Sequence, residues 1–167
     1  MADVIDELKR LETMSLLAAE RHYAGETRWY NLNEWLGIPA TLVSAITAAS
    51  AVAKFDQKEI VTVTTALLAS ALSALLTFLD PFKRASAHHL AGREFEALYH
   101  MAGRLSRLDA DPIKGGPIAD KFSDLARKFD DLLKSSPAIP GYAYGRARRA
   151  LASGNGEVLQ PIVPALD

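Results

Sequence analysis

Cysteine is absent from the 167-residue chain, which excludes disulfide scaffolds, thiolate metal centres, iron–sulfur clusters and cysteine nucleophiles. An excess of charge of either sign is missing as well, with 19 Lys+Arg against 20 Asp+Glu. That balance argues against a generally basic nucleic-acid binder and against an acidic tail. Catalytic signatures are lacking too. No Gly-rich loop precedes a Lys-Ser or Lys-Thr pair, and no Ser stands in a nucleophile-elbow pattern. His88 and His89 are neighbours, so on a helix they point about 100° apart and do not readily share a metal. Glu96 and His100, spaced i, i+4, read as a surface ion pair. The expectation is a chain that is not an enzyme and holds no metal or cofactor.

Charge is also missing locally, and that gap is informative. Residues 36–79 carry four charges, Lys54, Asp56, Lys58 and Glu59, all within six consecutive positions. On either side lie uncharged runs, Leu36–Ala53 and Ile60–Leu79. A helix of about 20 apolar residues crosses about 30 Å of hydrocarbon, so both runs are long enough or nearly so. The second is rich in Leu, Ile, Val and Phe. The first is richer in Ala and has Gly37 and Pro39 near its start, where a first helical turn tolerates proline. Trp29, Tyr30 and Trp35 precede the first run, placed for amphipathic rings at a headgroup layer.

The six-residue connection Lys54–Glu59 forces a tight antiparallel hairpin. Arg21, Arg28, Lys83, Arg84 and Arg93 flank it, against two Lys in the loop, so the positive-inside rule puts both termini in the cytoplasm. A soluble bundle burying the hairpin is the competing reading. Residues 1–34 read as an amphipathic helix, with Asp3 as N-cap and Val4, Leu8, Leu11 and Met14 at helical spacing. Asp80-Pro81 is a second start signal, opening a charged helix to about Leu108 with Phe95, Leu98, Met101 and Leu105 on its packing face. Breakers at 111–117 precede a helix marked by Phe122, Leu125, Phe129 and Leu132. A short basic helix spans Tyr144–Ala152, and 154–167 reads as a flexible tail. The fold class expected is an all-α membrane protein: an N-terminal amphipathic helix (1–34), a transmembrane hairpin (35–80, spans about 36–53 and 60–79), and a cytoplasmic helical region (81–153).

On the second span, Thr62, Ala66, Ala69, Ser70, Ser73 and Thr77 fall within one arc of about 100°. Hydroxyls facing lipid gain nothing, so this stripe faces protein or water. It is either a close-packing seam, with Ala66, Ser70 and Ala74 spaced small-xxx-small, or a pore wall of Thr62, Ala66, Ser70, Ser73 and Thr77 repeated around a ring of subunits. Asp80 then stands at the pore mouth with Lys83 and Arg84, although as a lone residue Asp80 also reads as an N-cap. Arg146, Arg148 and Arg149, beside Tyr142 and Tyr144, suit an anion such as a nucleotide phosphate or lipid headgroup. They equally suit a solvated helix C-terminus.

The arrangement resembles the SLATT family, two-transmembrane effectors of bacterial anti-phage conflict systems. The likeness lies in Trp35-Leu36-Gly37-Ile38-Pro39-Ala40 opening a small-residue span, the short loop, and the helix Phe82-Lys83-Arg84-Ala85-Ser86-Ala87-His88-His89 leading to Glu94-Phe95-Glu96-Ala97-Leu98. It extends to Pro140-Gly141-Tyr142-Ala143-Tyr144, and covers roughly 5–155, with Phe95 standing where Tyr is expected. The resemblance implies an inner-membrane effector that permeabilises the bilayer once a separately encoded sensing or nucleotide-synthesising partner, or a second messenger, triggers it. A single hairpin cannot enclose a pore, so this function requires a homo-oligomer. The alternative is a non-conducting membrane anchor or scaffold that recruits a partner protein.

Overall fold

The computed structural model describes residues 2–54, 56–108, 118–139, 141 and 145. The breaker at 111–117, most of the basic helix at 144–152 and the tail at 154–167 lie outside them. Four helices follow one another, α1 (Ala2–Val52), α2 (Lys58–Leu79), α3 (Pro81–Leu108) and α4 (Ile118–Ser135), and the described residues contain no strand. The all-helical class read from the periodicities is therefore observed. The chain divides into two compact units, residues 1–26 with 87–167, and residues 27–86.

In the first unit, α1 and α3 pack together and α4 covers them. Its core is built from Leu8, Leu11, Ala18 and Ala19 of α1, Phe95, Leu98 and Ala102 of α3, and Leu125 and Phe129 of α4. The spacings in α3 and α4 are those of an amphipathic helix, so Phe95 and Leu98 from one and Leu125 and Phe129 from the other meet across the interface. Two expectations fail. Met14 and Met101 are exposed, at 43% and 38%. The inward stripe of α1 runs instead from Leu11 through Ser15, Ala18 and His22, all buried. Small residues occupy it because the two helices approach closely: Ala24-Gly25 and Ala91-Gly92 are all buried. A Cβ on Gly92 would stand 2.7 Å from the Tyr23 ring, and one on Gly25 3.0 Å from the His88 imidazole.

Two helix-start expectations in α1 also change. The helix already includes Ala2, so Asp3 lies inside the first turn rather than capping it. Pro39 is interior to a 51-residue helix, not at the first turn of a new one. The chain runs helically through the expected boundary at 34/35. Proline has no N–H, so the Trp35 carbonyl gets no i→i−4 bond from it.

The second unit holds the rest of α1, all of α2 and the first turns of α3. None of the 22 residues of α2 is buried. Its half-buried positions are Thr62, Thr65, Ala66, Ala69, Leu72, Leu76 and Leu79, and this face meets α1 at Thr62. There Ser50 and Thr62 hydroxyls lie 2.7 Å apart. Much of the remaining perimeter is apolar and open, with Trp35, Ile38, Leu42, Val63, Leu67 and Phe78 each more than half exposed. Both uncharged runs thus lie on helices long and apolar enough to cross a membrane.

Asp80 is the sole residue between α2 and α3, held in the left-handed region at φ 41°. Its backbone N–H donates to the Leu76 carbonyl at 3.0 Å, closing α2. Its carboxylate accepts the Lys83 N–H at 3.3 Å, opening α3. The N-cap reading of Asp80 is therefore observed, and the same residue also serves as C-cap.

Candidate functional site

Two groups of residues carry chemistry. The first is the hydroxyl stripe of α2, which splits. Thr62 and Ala66 sit on the half-buried face toward α1, whereas Ser70, Ser73 and Thr77 are exposed, as is Ala74. The small-xxx-small row Ala66, Ser70, Ala74 therefore leaves the α1 contact after its first member. Leu72 and Leu76 replace it, because the packing face drifts around α2 relative to the stripe. Thr62 and Thr77 donate their hydroxyls to the carbonyls of Lys58 and Ser73, at 2.8 and 2.9 Å. Thr41, Ser44 and Thr47 of α1 do the same four residues back. This back-bonding satisfies a hydroxyl within its own helix, so each adds little polarity to an apolar surface.

At the expected mouth, Lys83 and Arg84 are exposed on the first turn of α3. The Arg84 guanidinium lies 4.8 Å from the centre of the Trp29 ring, within cation–π reach. Its Nε–H donates to the Leu79 carbonyl at 2.8 Å, the last residue of α2. Arg84 thus ties Trp29 of α1 to the α2–α3 corner. Asp80 is committed to both caps. Arg146, Arg148 and Arg149 lie outside the described residues.

The second group was missed by the sequence reading, which weighed His88 only with its neighbour His89 and did not consider His22. His22 of α1 and His88 of α3 are 1% and 3% exposed, and their Nδ1 atoms stand 3.1 Å apart. One Nδ1–H donates to the other Nδ1. The His22 ring stacks on Phe95 at 5.5 Å between centroids, and Phe95 meets Phe129 edge-on at 5.6 Å. Burial, then the neighbouring His88, pushes His22 down from 6.5 to about 4. Burial also lowers His88, against a smaller upward pull from Glu26. His89 points the other way, toward Glu26, with Nδ1 3.1 Å from Oε1.

Beside this pair, the Tyr23 hydroxyl donates to Glu96 Oε2 at 2.6 Å. Burial and that carboxylate push the Tyr23 phenol up to about 12. Glu96 therefore takes its partner from α1, and His100 instead lies against the Tyr99 ring at 5.0 Å. The signal available in the sequence was the spacing of His22 after Leu8, Leu11, Ser15 and Ala18, which places an imidazole on the apolar stripe. A histidine there has to find a partner or lose its charge.

Among the described residues, no three His, Asp or Glu side chains converge as metal ligands. An open groove of about 360 Å³ runs between α3 and α4, lined by Glu94, Leu98, Met101, Lys128, Asp131 and Leu132. No protein-family model, curated protein or solved structure matches this chain.

Proposed function

We propose that this protein is an oligomeric, membrane-permeabilising effector of a bacterial anti-phage system, resident in the inner membrane with both termini cytoplasmic. The observation that carries the reading is α2. Twenty-two residues, predominantly apolar and none buried, are costly to leave in water and match the thickness of a bilayer. Lipid covers Val63, Leu67 and Phe78. Ser70, Ser73 and Thr77 are exposed on the same helix, and a second copy of the chain or a water-filled path covers them. Several hairpins side by side supply both, with the hydroxyl faces inward and the leucines outward. Arg84 on Trp29 and the nearby Lys83 settle among lipid phosphates. The three-helix unit receives the trigger from a separately encoded partner or second messenger, in keeping with the resemblance to SLATT effectors.

The test is membrane potential in cells expressing the protein, read with a voltage-sensitive dye, with the partner system silent and then triggered. Depolarisation on triggering, abolished by Ser73→Leu or Thr77→Leu in proteins that still reach the membrane, is the expected result. Membrane localisation with an intact potential in both states overturns conduction and favours a scaffold that recruits a partner.

A further inference from the structure

The His22–His88 contact lies outside the two uncharged runs, where α1 and α3 pack closely at Gly25. Both rings are buried, and both Nδ1 atoms point into one 3.1 Å gap. That gap accommodates a single proton. In the neutral pair one ring donates and the other accepts; with both rings doubly protonated, two N–H groups and two positive charges face each other. Packing confines both rings. His88 is packed against the backbone of α1 at Gly25, where even a methyl group would touch its ring. His22 is stacked on Phe95. Relief of the repulsion, and hydration of the charge, require the helices themselves to separate.

We propose that the His22–His88 pair is an acid-sensitive latch that holds α1 against α3 while uncharged and releases them when both rings are protonated. The groups that face it fit this role. From α1, Glu26 attracts a charged His88 but is engaged by His89. From α1 and α3, Tyr23 and Glu96 pair with each other, with Arg93 close enough to lower the Tyr23 phenol. α4 meets this layer through Phe129. Two imidazoles alone are too few ligands for a zinc site, and among the described residues no third converges on them. The latch is a property of the three-helix unit and stands or falls independently of conduction.

The test uses the full chain in lipid nanodiscs. With no native cysteine, nitroxide labels go on Glu20→Cys and Leu90→Cys, and their separation is measured by pulsed electron resonance from pH 7.5 to 3.5. Imidazole nitrogen shifts from ¹⁵N NMR report each histidine in parallel. The expected result is a widening of about 2 Å or more, with a midpoint that follows two imidazoles whose titration burial has lowered. His22→Gln, which leaves one titrating ring, should abolish the widening or move its midpoint by a pH unit or more. A separation constant across the range overturns the latch. So does a widening that follows the exposed His100, or one unchanged in midpoint when the variant is labelled. Because no flux is measured, a null result here leaves the dye experiment to decide conduction separately.

Discussion

The Tyr23 phenol and the Glu96 carboxylate meet at 2.6 Å across the α1–α3 contact, a short bond of the kind a neutral donor makes to a charged acceptor. It lies beside the His22–His88 pair, so buried and half-exposed polar contacts succeed one another along one helix crossing. Tyr23→Phe removes one bond to a carboxylate that retains access to water. The expected loss is about 1 kcal/mol, read as a lowered thermal midpoint of helicity. A sharper readout is ultraviolet titration. One tyrosine should ionise near pH 12 in the wild type, and that late component should vanish in Tyr23→Phe. If the wild type shows no such late component, the bond is not made.

The neutral histidine pair ties stability to pH in a defined direction. An unfolded His22 takes its proton near pH 6.5, the folded one near pH 4. The folded state therefore carries its full advantage above about pH 6.5 and loses it as the pH falls toward 4. By linkage the loss from His22 is on the order of 3 kcal/mol, with a further loss in the same direction from His88. Chemical denaturation at pH 7.5, 5.5 and 4 should show a steady decline. His22→Phe, which stays apolar, should make the decline shallower and leave the part due to His88. A flat profile in the wild type contradicts the burial of a neutral pair.

Gly92→Ala sets two magnitudes against each other. In an ordinary helix interior the change stabilises by about 1 kcal/mol. Here the new methyl would stand 2.7 Å from Cε1 of a Tyr23 ring that Glu96 holds in place. Overpacking of this kind costs about 1–3 kcal/mol, so the steric term wins and the variant should melt lower. Combining it with Tyr23→Ala should recover part of the helix gain, which a double-mutant cycle would measure.

Much of this architecture is legible in the sequence, and the reasons for the exceptions are physical. The apolar runs around Lys54–Glu59 stand out because a missing charge is visible at any register. Helices α3 and α4 follow from Phe95, Leu98, Leu125 and Phe129, large residues at 3.6-residue spacing. Pro39 misled, because a start signal and an interior proline look identical when the preceding segment is also helical. Met14 and Met101 misled because hydrophobicity marks size as well as burial, and the tight crossing selects Ser15, Ala18, Gly25 and Gly92 instead. The His22–His88 pair was not legible. Its members are 66 positions apart, and only the crossing of α1 with α3 makes them neighbours.

Ser15 gives the most exposed prediction, since here a polar group should be better removed. Its side chain is fully buried on the inward stripe of α1, and its hydroxyl has no hydrogen-bond partner among the described residues. A buried hydroxyl left unbonded costs about 1–3 kcal/mol. Alanine keeps the volume nearly constant and adds helix propensity of a few tenths of a kcal/mol or more. Ser15→Ala should therefore raise the thermal midpoint, by an amount corresponding to about 1–2 kcal/mol. Ser15→Leu, at the same position, should lower it, because a fully buried serine leaves little room for a larger, branched side chain. If alanine lowers stability as well, the hydroxyl is bonded in the folded protein and the crossing at Ser15 is arranged differently from the one described.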